Sequence, residues 1–484
     1  MNRTRTTPSV VLLAAVLGLG GCTMIPEYER PALPVADAFK AEAGAEGTAP
    51  AAEATPAATE VAPVAAPTVR DVPWQEFFTD ARLRSVIDLA LANNRDLRVA
   101  TLNVERVAAL YRIQRSELFP TIGVQATGER YRIPESIGKD GEASTVSAYT
   151  VGLGMASWEL DLFGRIRSLN ARSLEHFLAT EEARRGAQTS LVAAVAGTWL
   201  GLAASEENLR ISQATLEAQR ASHDLIRQSR DAGIGSDLEL SQAASQVEAA
   251  RAAVASFTGA VAVSRNALEL LVGAPVPADL LPEQLVVVTD PKGLEAGLPS
   301  DVLLRRPDIL AAEHLLRGAN ANIGAARAAF FPRISLTAGF GTSSPDLDGL
   351  FKSGTNVWSF AGQIVSPLFA SGSLIANLKV TKLDREIAVA TYEKAIQTAF
   401  AEVNDGLTLR TTLVEQRDAQ DALVKSLEDF SRLSDARFKA GLDGYLGVLV
   451  AQQALFNAQR GAVGVRLAEQ ANLVTLYKVL GGGV

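Results

Sequence analysis

The sequence predicts a mainly α-helical chain that lends strands to a transmembrane β-barrel, built as a tandem repeat. Three observations carry this. First, Arg165 to Arg230 runs about sixty-six residues without proline, roughly 100 Å if helical, and Ser373 to Lys439 repeats the pattern. No proline falls between Pro134 and Pro275 or after Pro367, as long helices require. Second, landmarks recur about 206 to 212 residues apart, a period that means two whole domains rather than a solenoid. Phe119-Pro120 returns as Phe331-Pro332, Asp161-Leu-Phe-Gly164 as Pro367-Leu-Phe-Ala370, Ala232-Gly233 as Ala440-Gly441, and Leu271-Val-Gly273 as Val479-Leu-Gly481. Third, the period changes to two in one stretch of the first repeat, with a second strand segment after it, and in two stretches of the second repeat.

In chain order, residues 1–21 form a leader. Arg3 and Arg5 are its charged start, Val10 to Leu19 its apolar core, and Leu19-Gly-Gly-Cys22 a small-residue processing site. Cys22 is the one cysteine of the chain, which excludes disulfide frameworks and thiolate metal sites. The site resembles a lipobox, in which Cys22 would take S-diacylglycerol and N-acyl chains as a stable anchor. Thr23 after it, rather than Asp, points to the outer membrane. The bland alternative is an ordinary secretory leader with a chance cysteine.

Residues 22–73 are the anchor and a tether. Lys40 to Val69 is almost wholly Ala, Glu, Pro, Thr, Gly and Val, too poor in apolar surface to order itself. Structured sequence is expected near Trp74. The first repeat, 74–274, opens with a helical pattern from Leu83 to Leu118, broken at Asn93-Asn94. Strands follow at about 121–133 and 145–158, then the long helix, a hairpin tip at about 231–236 and a return helix. Residues 275–300 are a Pro-rich linker. The second repeat, 301–484, has strands at about 333–343 and 356–366 and its tip at about 440–444. Arg305-Arg-Pro-Asp308 is helix-start chemistry rather than a binding motif.

Strand lengths fit an outer-membrane barrel, with a half-buried soluble sheet as the alternative. The apolar run Leu191 to Ala204 is too short to span as a helix. Four strands cannot close a barrel, and an open edge in lipid leaves backbone groups unpaired, so the barrel must be shared between subunits. Val389, Tyr392, Ile396, Phe400, Val403 and Leu407 form a coiled-coil-like seam. Leu423, Leu427, Phe430 and Leu433 continue it. The formal net charge of −8 gives no nucleic-acid footprint. His176, His223 and His314 lack ligand spacing, and no cofactor or catalytic motif is found; no enzyme activity, cofactor or metal is expected.

Gly297-Leu-Pro-Ser-Asp-Val-Leu-Leu-Arg-Arg-Pro-Asp308, Ala319-Asn-Ala-Asn-Ile-Gly-Ala-Ala-Arg-Ala-Ala-Phe-Phe-Pro332, Trp158-Glu-Leu-Asp-Leu-Phe-Gly164 and Leu476-Tyr-Lys-Val-Leu-Gly-Gly482 together resemble the outer-membrane efflux lipoproteins. These are the OprM/NodT branch of the TolC superfamily. The resemblance covers nearly the whole chain from Cys22, the Ala/Pro-rich insertion excepted. It implies a homotrimer with a twelve-stranded barrel, a long periplasmic α-helical barrel and an equatorial mixed domain. It implies an inner-membrane pump of the resistance-nodulation-division class and a periplasmic membrane-fusion adaptor as partners. The duct would pass drugs or other small molecules without chemistry; an exit duct for type I secretion or metal efflux is the alternative. A general porin leaves the long helices unexplained, and a periplasmic coiled-coil lipoprotein leaves the strands unexplained.

By the same resemblance, the tips Gly233-Ile234-Gly235-Ser236 and Gly441-Leu442-Asp443-Gly444 would dock the adaptor. The four glycines there are expected to hold backbone that a Cβ would disfavour. Leu446 matches a leucine gate ring, whereas Val450 stands where many relatives carry an acidic ring, and Asp443 precedes the leucine. The expected gate is therefore an apolar plug of Leu446 backed by Val450.

Overall fold

The computed structural model describes residues 23–36, 38–39, 73–137, 141–285 and 300–482. Cys22, the Lys40 to Val69 tether and residues 286–299 of the linker lie outside them. The elements are α1 (Trp74–Phe77), α2 (Ala81–Asn93), α3 (Arg95–Ser116), β1 (Ile122–Ile133), β2 (Ser144–Leu160), α4 (Arg165–Asp231), α5 (Asp237–Val272), α6 (Pro307–Ala328), β3 (Arg333–Ser344), β4 (Asn356–Val365), α7 (Ser373–Lys439) and α8 (Tyr445–Val479). Both long helices are 67 residues, so the proline-free runs do mark them.

Two compact units divide the chain across both repeats. The first draws on Met1–Ala32, Asn103–Glu181 and Ala311–Tyr392; the second draws on Leu33–Leu102, Glu182–Leu310 and Glu393–Val484. The first unit contains the sheet, ordered β1-β2-β3-β4 and antiparallel throughout. Phe163, just after β2, stacks on Phe331, just before β3, with centroids 4.8 Å apart, joining a segment of each repeat.

The second unit has the larger core. Val195, Trp199 and Leu202 of α4 are buried, and the Trp199 indole donates to the Leu280 carbonyl at 3.1 Å. By length and composition α4 contains a stretch apolar enough to cross a membrane, more than its short apolar run implied, but over half of it is buried inside the protomer. Its apolar character belongs to the core.

The short helices meet end to end in the second unit. Asn94 sits between α2 and α3, where its Oδ1 accepts from Leu97 N at 2.8 Å. Its Nδ2 donates to the Leu271 carbonyl at 2.7 Å, at the end of α5. One residue thus satisfies a free helix-start amide and a free helix-end carbonyl. Gly273, with φ 74°, lets the chain leave there, and a Cβ would stand 2.6 Å from the Asn93 carbonyl oxygen. In the second repeat Arg306, just before α6, donates to the Val479 carbonyl at 2.7 Å, at the end of α8. It also pairs with Asp308 and Glu402, each at 2.8 Å. Pro307 opens α6 with Asp308 in its first turn, so Arg305 to Asp308 is structural, as read.

Two expectations need correction. Tertiary contacts are already made well before Trp74: residues 24–30 lie along α6, held by polar contacts rather than apolar burial. Phe39 is also buried, stacked on Phe400 at 5.0 Å. The α7 seam is buried at Tyr392, Ile396, Val403 and Leu407, but Leu423, Phe430 and Leu433 are exposed.

Candidate functional site

The sheet has two exposed faces of opposite character. The register places Ile122, Val124, Leu153, Ile334, Leu336, Phe340, Trp358, Phe360 and Ile364 on one. Val124 and Trp358 there are 77% and 78% exposed. The other carries Gln125, Thr127, Thr150, Ser335, Thr337, Ser343, Ser359 and Gln363 with several glycines. A soluble sheet buries its apolar face on a core; here that face is bare, as a lipid-facing surface is. On the polar face Gly152 and Gly341 are paired, and a Cβ on Gly152 would stand 2.6 Å from the Phe340 carbonyl oxygen.

A bulge between Met155 and Trp158 keeps the apolar face in phase. Two residues of β2 there, Ala156 and Ser157, oppose one of β3, Thr337, with Ser157 at φ 47°. The extra residue returns Trp158 to the face of Met155 and Leu153. Beyond it, Glu159 accepts two bonds from Arg165, at 2.8 and 2.7 Å, and Asp161 accepts from Arg167 N at 2.8 Å. These acids start α4 against its positive end.

The two tips end alike. Gly233 (φ 78°) and Gly441 (φ 72°) follow the last turns of α4 and α7. Gly233 N donates to Arg230 O and Ile234 N to Ser229 O, at 2.9 and 3.0 Å. Gly441 N donates to Phe438 O and Leu442 N to Arg437 O, at 2.9 and 3.0 Å. Both are Schellman motifs, and the residue after each glycine, Ile234 or Leu442, is bare at 85% or 66% exposed.

The other two tip glycines act differently. Gly235 has no positive φ, but a Cβ there would lie 2.9 Å from Arg230 N, so close backbone approach requires it. Gly444 departs from the expectation. It is the N-cap of α8 at φ −77°, with open space around a built Cβ, so no strain demands glycine. Its counterpart Ser236 makes a full capping box with Glu239. The α8 tip lacks that cap.

At the same end of the second unit, Tyr445 and Val448 are buried with Ile226 and Ala243. Leu446 and Val450, one turn apart, lie on another face of α8 at 59% and 50% exposed. Asp443 is bound by Arg437, with Nη2 to Oδ1 at 3.1 Å. That hydrogen bond and charge hold its carboxyl below the usual carboxylate range. The structure thus brings Asp443, Leu446 and Val450 to one helix start. Among the described residues no cluster of three or more His, Cys, Asp or Glu groups could hold a metal; His314 Nδ1 instead lies 2.7 Å from Glu175.

Sequence reasoning missed the helix-junction roles of Asn94 and Arg306. The signal was available in outline, since each stands immediately before a helix and about 175 residues from its carbonyl partner's return helix, a tertiary pairing that no local pattern encodes.

An exposed apolar sheet face with a polar opposite face fits strands that a chain lends to a membrane barrel. The sequence matches the family described as outer membrane efflux protein over residues 86–274 and 298–482. It is 44% identical over 467 residues to the probable efflux pump outer membrane protein TtgC of Pseudomonas putida, covering 96% of this chain and 93% of that one. It is 46% identical over 472 residues to the solvent efflux pump outer membrane protein SrpC of the same species, covering 97% of each. Among solved structures, the open-state outer membrane channel MtrE of Neisseria gonorrhoeae superposes with a TM-score of 0.82. It is 38% identical, over 96% of this chain and 98% of that one.

The chain belongs to the outer membrane efflux protein family. It is the outer-membrane component of an efflux pump in a Gram-negative bacterium, and its fold is that of the trimeric outer-membrane channels, with four strands per chain.

Proposed function

We propose that three copies form a passive exit duct, fed by an inner-membrane transporter of the resistance-nodulation-division class through a periplasmic adaptor. The observation that carries this is the sheet: two exposed faces and, at β1 and β4, two unpaired edges. Joining β4 of one copy to β1 of the next removes every edge, which lipid demands. Two copies would give an eight-stranded barrel, whose interior side chains just fill. Three give twelve strands and room for a passage. The exposed Leu423, Phe430 and Leu433 of α7 supply apolar surface for neighbouring copies.

The tips dock the adaptor through Ile234 and Leu442, held outward by Gly233, Gly235, Ser236 and Gly441. Leu446 closes the periplasmic end as an apolar ring backed by Val450, excluding ions by dewetting. Asp443, engaged by Arg437, adds little charge to that ring. Cys22 carries the acyl anchor. The cargo is small organic molecules, as the antibiotic, toluene and solvent pumps of the relatives' names favour. Mass measurement by light scattering in mild detergent tests the assembly: a trimer is expected, and a stable monomer or dimer refutes it.

A further inference from the structure

We propose that Arg460, held over Phe257 and Phe456, is a binding station for aromatic organic anions on the wall of the passage above the gate. This rests on the reading of three copies as a duct with Leu446 at its closed end. All the residues concerned belong to the second compact unit.

The wall is visible in the exposure of α8. From Val450 to Arg460 the exposed residues are Val450, Gln453, Asn457 and Arg460, and all the others are buried or half-buried. With Leu446 they are spaced 4, 3, 4, 3, which places them on one stripe of the helix. The other sides of α8 are taken. Gln420 of α7 donates to the Ala458 carbonyl at 2.9 Å, Gln219 of α4 donates to Gln452 Oε1 at 3.0 Å, and Phe257 of α5 meets Arg460. The face that turns Leu446 to the axis at the gate therefore turns Arg460 to the passage beyond it.

The stripe changes character with height. Leu446 and Val450 are apolar. Gln453 and Asn457 are polar, with Gln453 Nε2 donating to Asn457 Oδ1 at 3.3 Å. Arg460 is the first charge, about 21 Å along the helix from Leu446. Neither return helix offsets it: residues 249–268 of α5 and 444–468 of α8 contain four arginines and no acid. Two of the others are engaged, Arg251 by Glu248 at 3.3 Å and Arg466 by Glu207 at 2.8 Å. Among the described residues no carboxylate pairs with Arg460.

Aromatic rings stand where a carboxylate would. The Arg460 guanidinium carbon lies 4.9 Å from the Phe257 ring centroid and 5.5 Å from that of Phe456, one turn away on α8. Both rings are half-buried, so cation–π attraction holds the guanidinium on a firm base. Its N–H edge stays free for a planar anion, which a guanidinium binds through two parallel bonds. The rings offer an apolar surface to the aromatic body of the same molecule, and the Asn457 amide adds a donor. A carboxylate or sulfonate on an aromatic ring uses the whole set. A simple anion uses the charge alone, and a cation is repelled. Three copies bring three such sites to one level, where a narrow passage focuses their field. The station draws anionic cargo past the apolar constriction, and its exposure to water keeps binding weak enough for release.

The test uses the full-length trimer carrying Leu446→Ala, which opens the gate, with naphthoate as the probe. In planar bilayers naphthoate should block the current. Arg460→Gln, at an exposed position that the fold tolerates, should raise the half-blocking concentration about tenfold. It should also move the reversal potential in a KCl gradient toward that of potassium. Phe257→Leu should weaken the block yet leave the reversal potential unchanged, which separates the ring from the charge. Naphthalenemethanol, which lacks the charge, should not distinguish Arg460→Gln from its parent. Equal block and equal reversal potential in the two overturns the proposal. A trimer that carries no current overturns the duct reading instead. Saturation-transfer NMR then decides the station: a naphthoate signal that Arg460→Gln removes upholds it, and one left unchanged overturns it.

Discussion

A threonine placed at Gly441 and, separately, at Gly444 puts one side chain at two positions three residues apart with opposite expected outcomes. At Gly441 (φ 72°) a built Cβ meets nothing within 4 Å, so the cost is backbone strain alone. A left-handed residue other than glycine costs about 1–2 kcal/mol, more when β-branched. Taking about 2 kcal/mol, the Schellman turn that holds Leu442 outward opens about thirtyfold more often. At Gly444 the backbone is already extended, at φ −77° and ψ 160°, and the space is open. Threonine is about as good an N-cap as glycine, so no penalty follows. The sheet and helix packing lie elsewhere, so trimer yield should be unaffected in both. The assay is export of a fluorescent pump substrate from cells carrying each variant as their sole duct, at matched protein level. Gly441→Thr, and Gly233→Thr in the first tip, should export poorly; Gly444→Thr should match the unaltered chain. Full export from Gly441→Thr, or equal damage from Gly444→Thr, would refute the reasoning.

Cys22→Ser should yield a protein without lipid that still fractionates with the outer membrane, because the barrel holds it; a soluble periplasmic product would count against transmembrane strands. Arg306→Met removes the donor to Val479 and both ion pairs. Asp308 and Glu402 are half exposed and can rehydrate, so the loss is about 1–3 kcal/mol, chiefly from the orphaned carbonyl. It should appear as faster thermal inactivation of the purified trimer, and an unchanged half-life would contradict the junction's role. Glu313 of α6 pairs with Arg30 and Arg317 and has a lowered folded pKa, so these pairs contribute fully above the ordinary carboxylate value and vanish as pH falls through the lowered one. Protease protection of residues 24–30 should therefore survive at about pH 5 and fail in stronger acid; loss already near neutrality would contradict this.

What the sequence made legible is what periodicity records. Absence of proline located α4 and α7 to within a residue, and alternation located β3 and β4 equally well. The bulge at Met155 to Trp158 was not legible, because an inserted residue changes pairing without altering composition. Docking of Met24 to Arg30 was not legible either: an extended strand bound through carbonyls and charges has no apolar repeat of its own. The face of α6 beneath it did have one, with Glu313, Arg317, Asn320, Gly324 and Arg327 at 4, 3, 4, 3 spacing, but mixed polar residues on a helix read as a solvated face. Past Leu407 the seam keeps its coiled-coil spacing but is exposed within one protomer, because spacing does not say which chain supplies the partner. At Gly444 residue type misled, since glycine is used there as an N-cap rather than for a left-handed turn.

The central claim is a passive duct closed at its periplasmic end by apolar side chains, and single-channel recording in planar bilayers addresses it most directly. The unaltered trimer should show a small resting conductance that divalent cations on the periplasmic side barely change. Asp443 is engaged by Arg437 and Val450 offers no carboxylate. Leu446→Ala should raise the resting conductance severalfold by letting water and ions fill the constriction. A trimer shut strongly by divalent cations, with Leu446→Ala indistinguishable from it, would contradict the account.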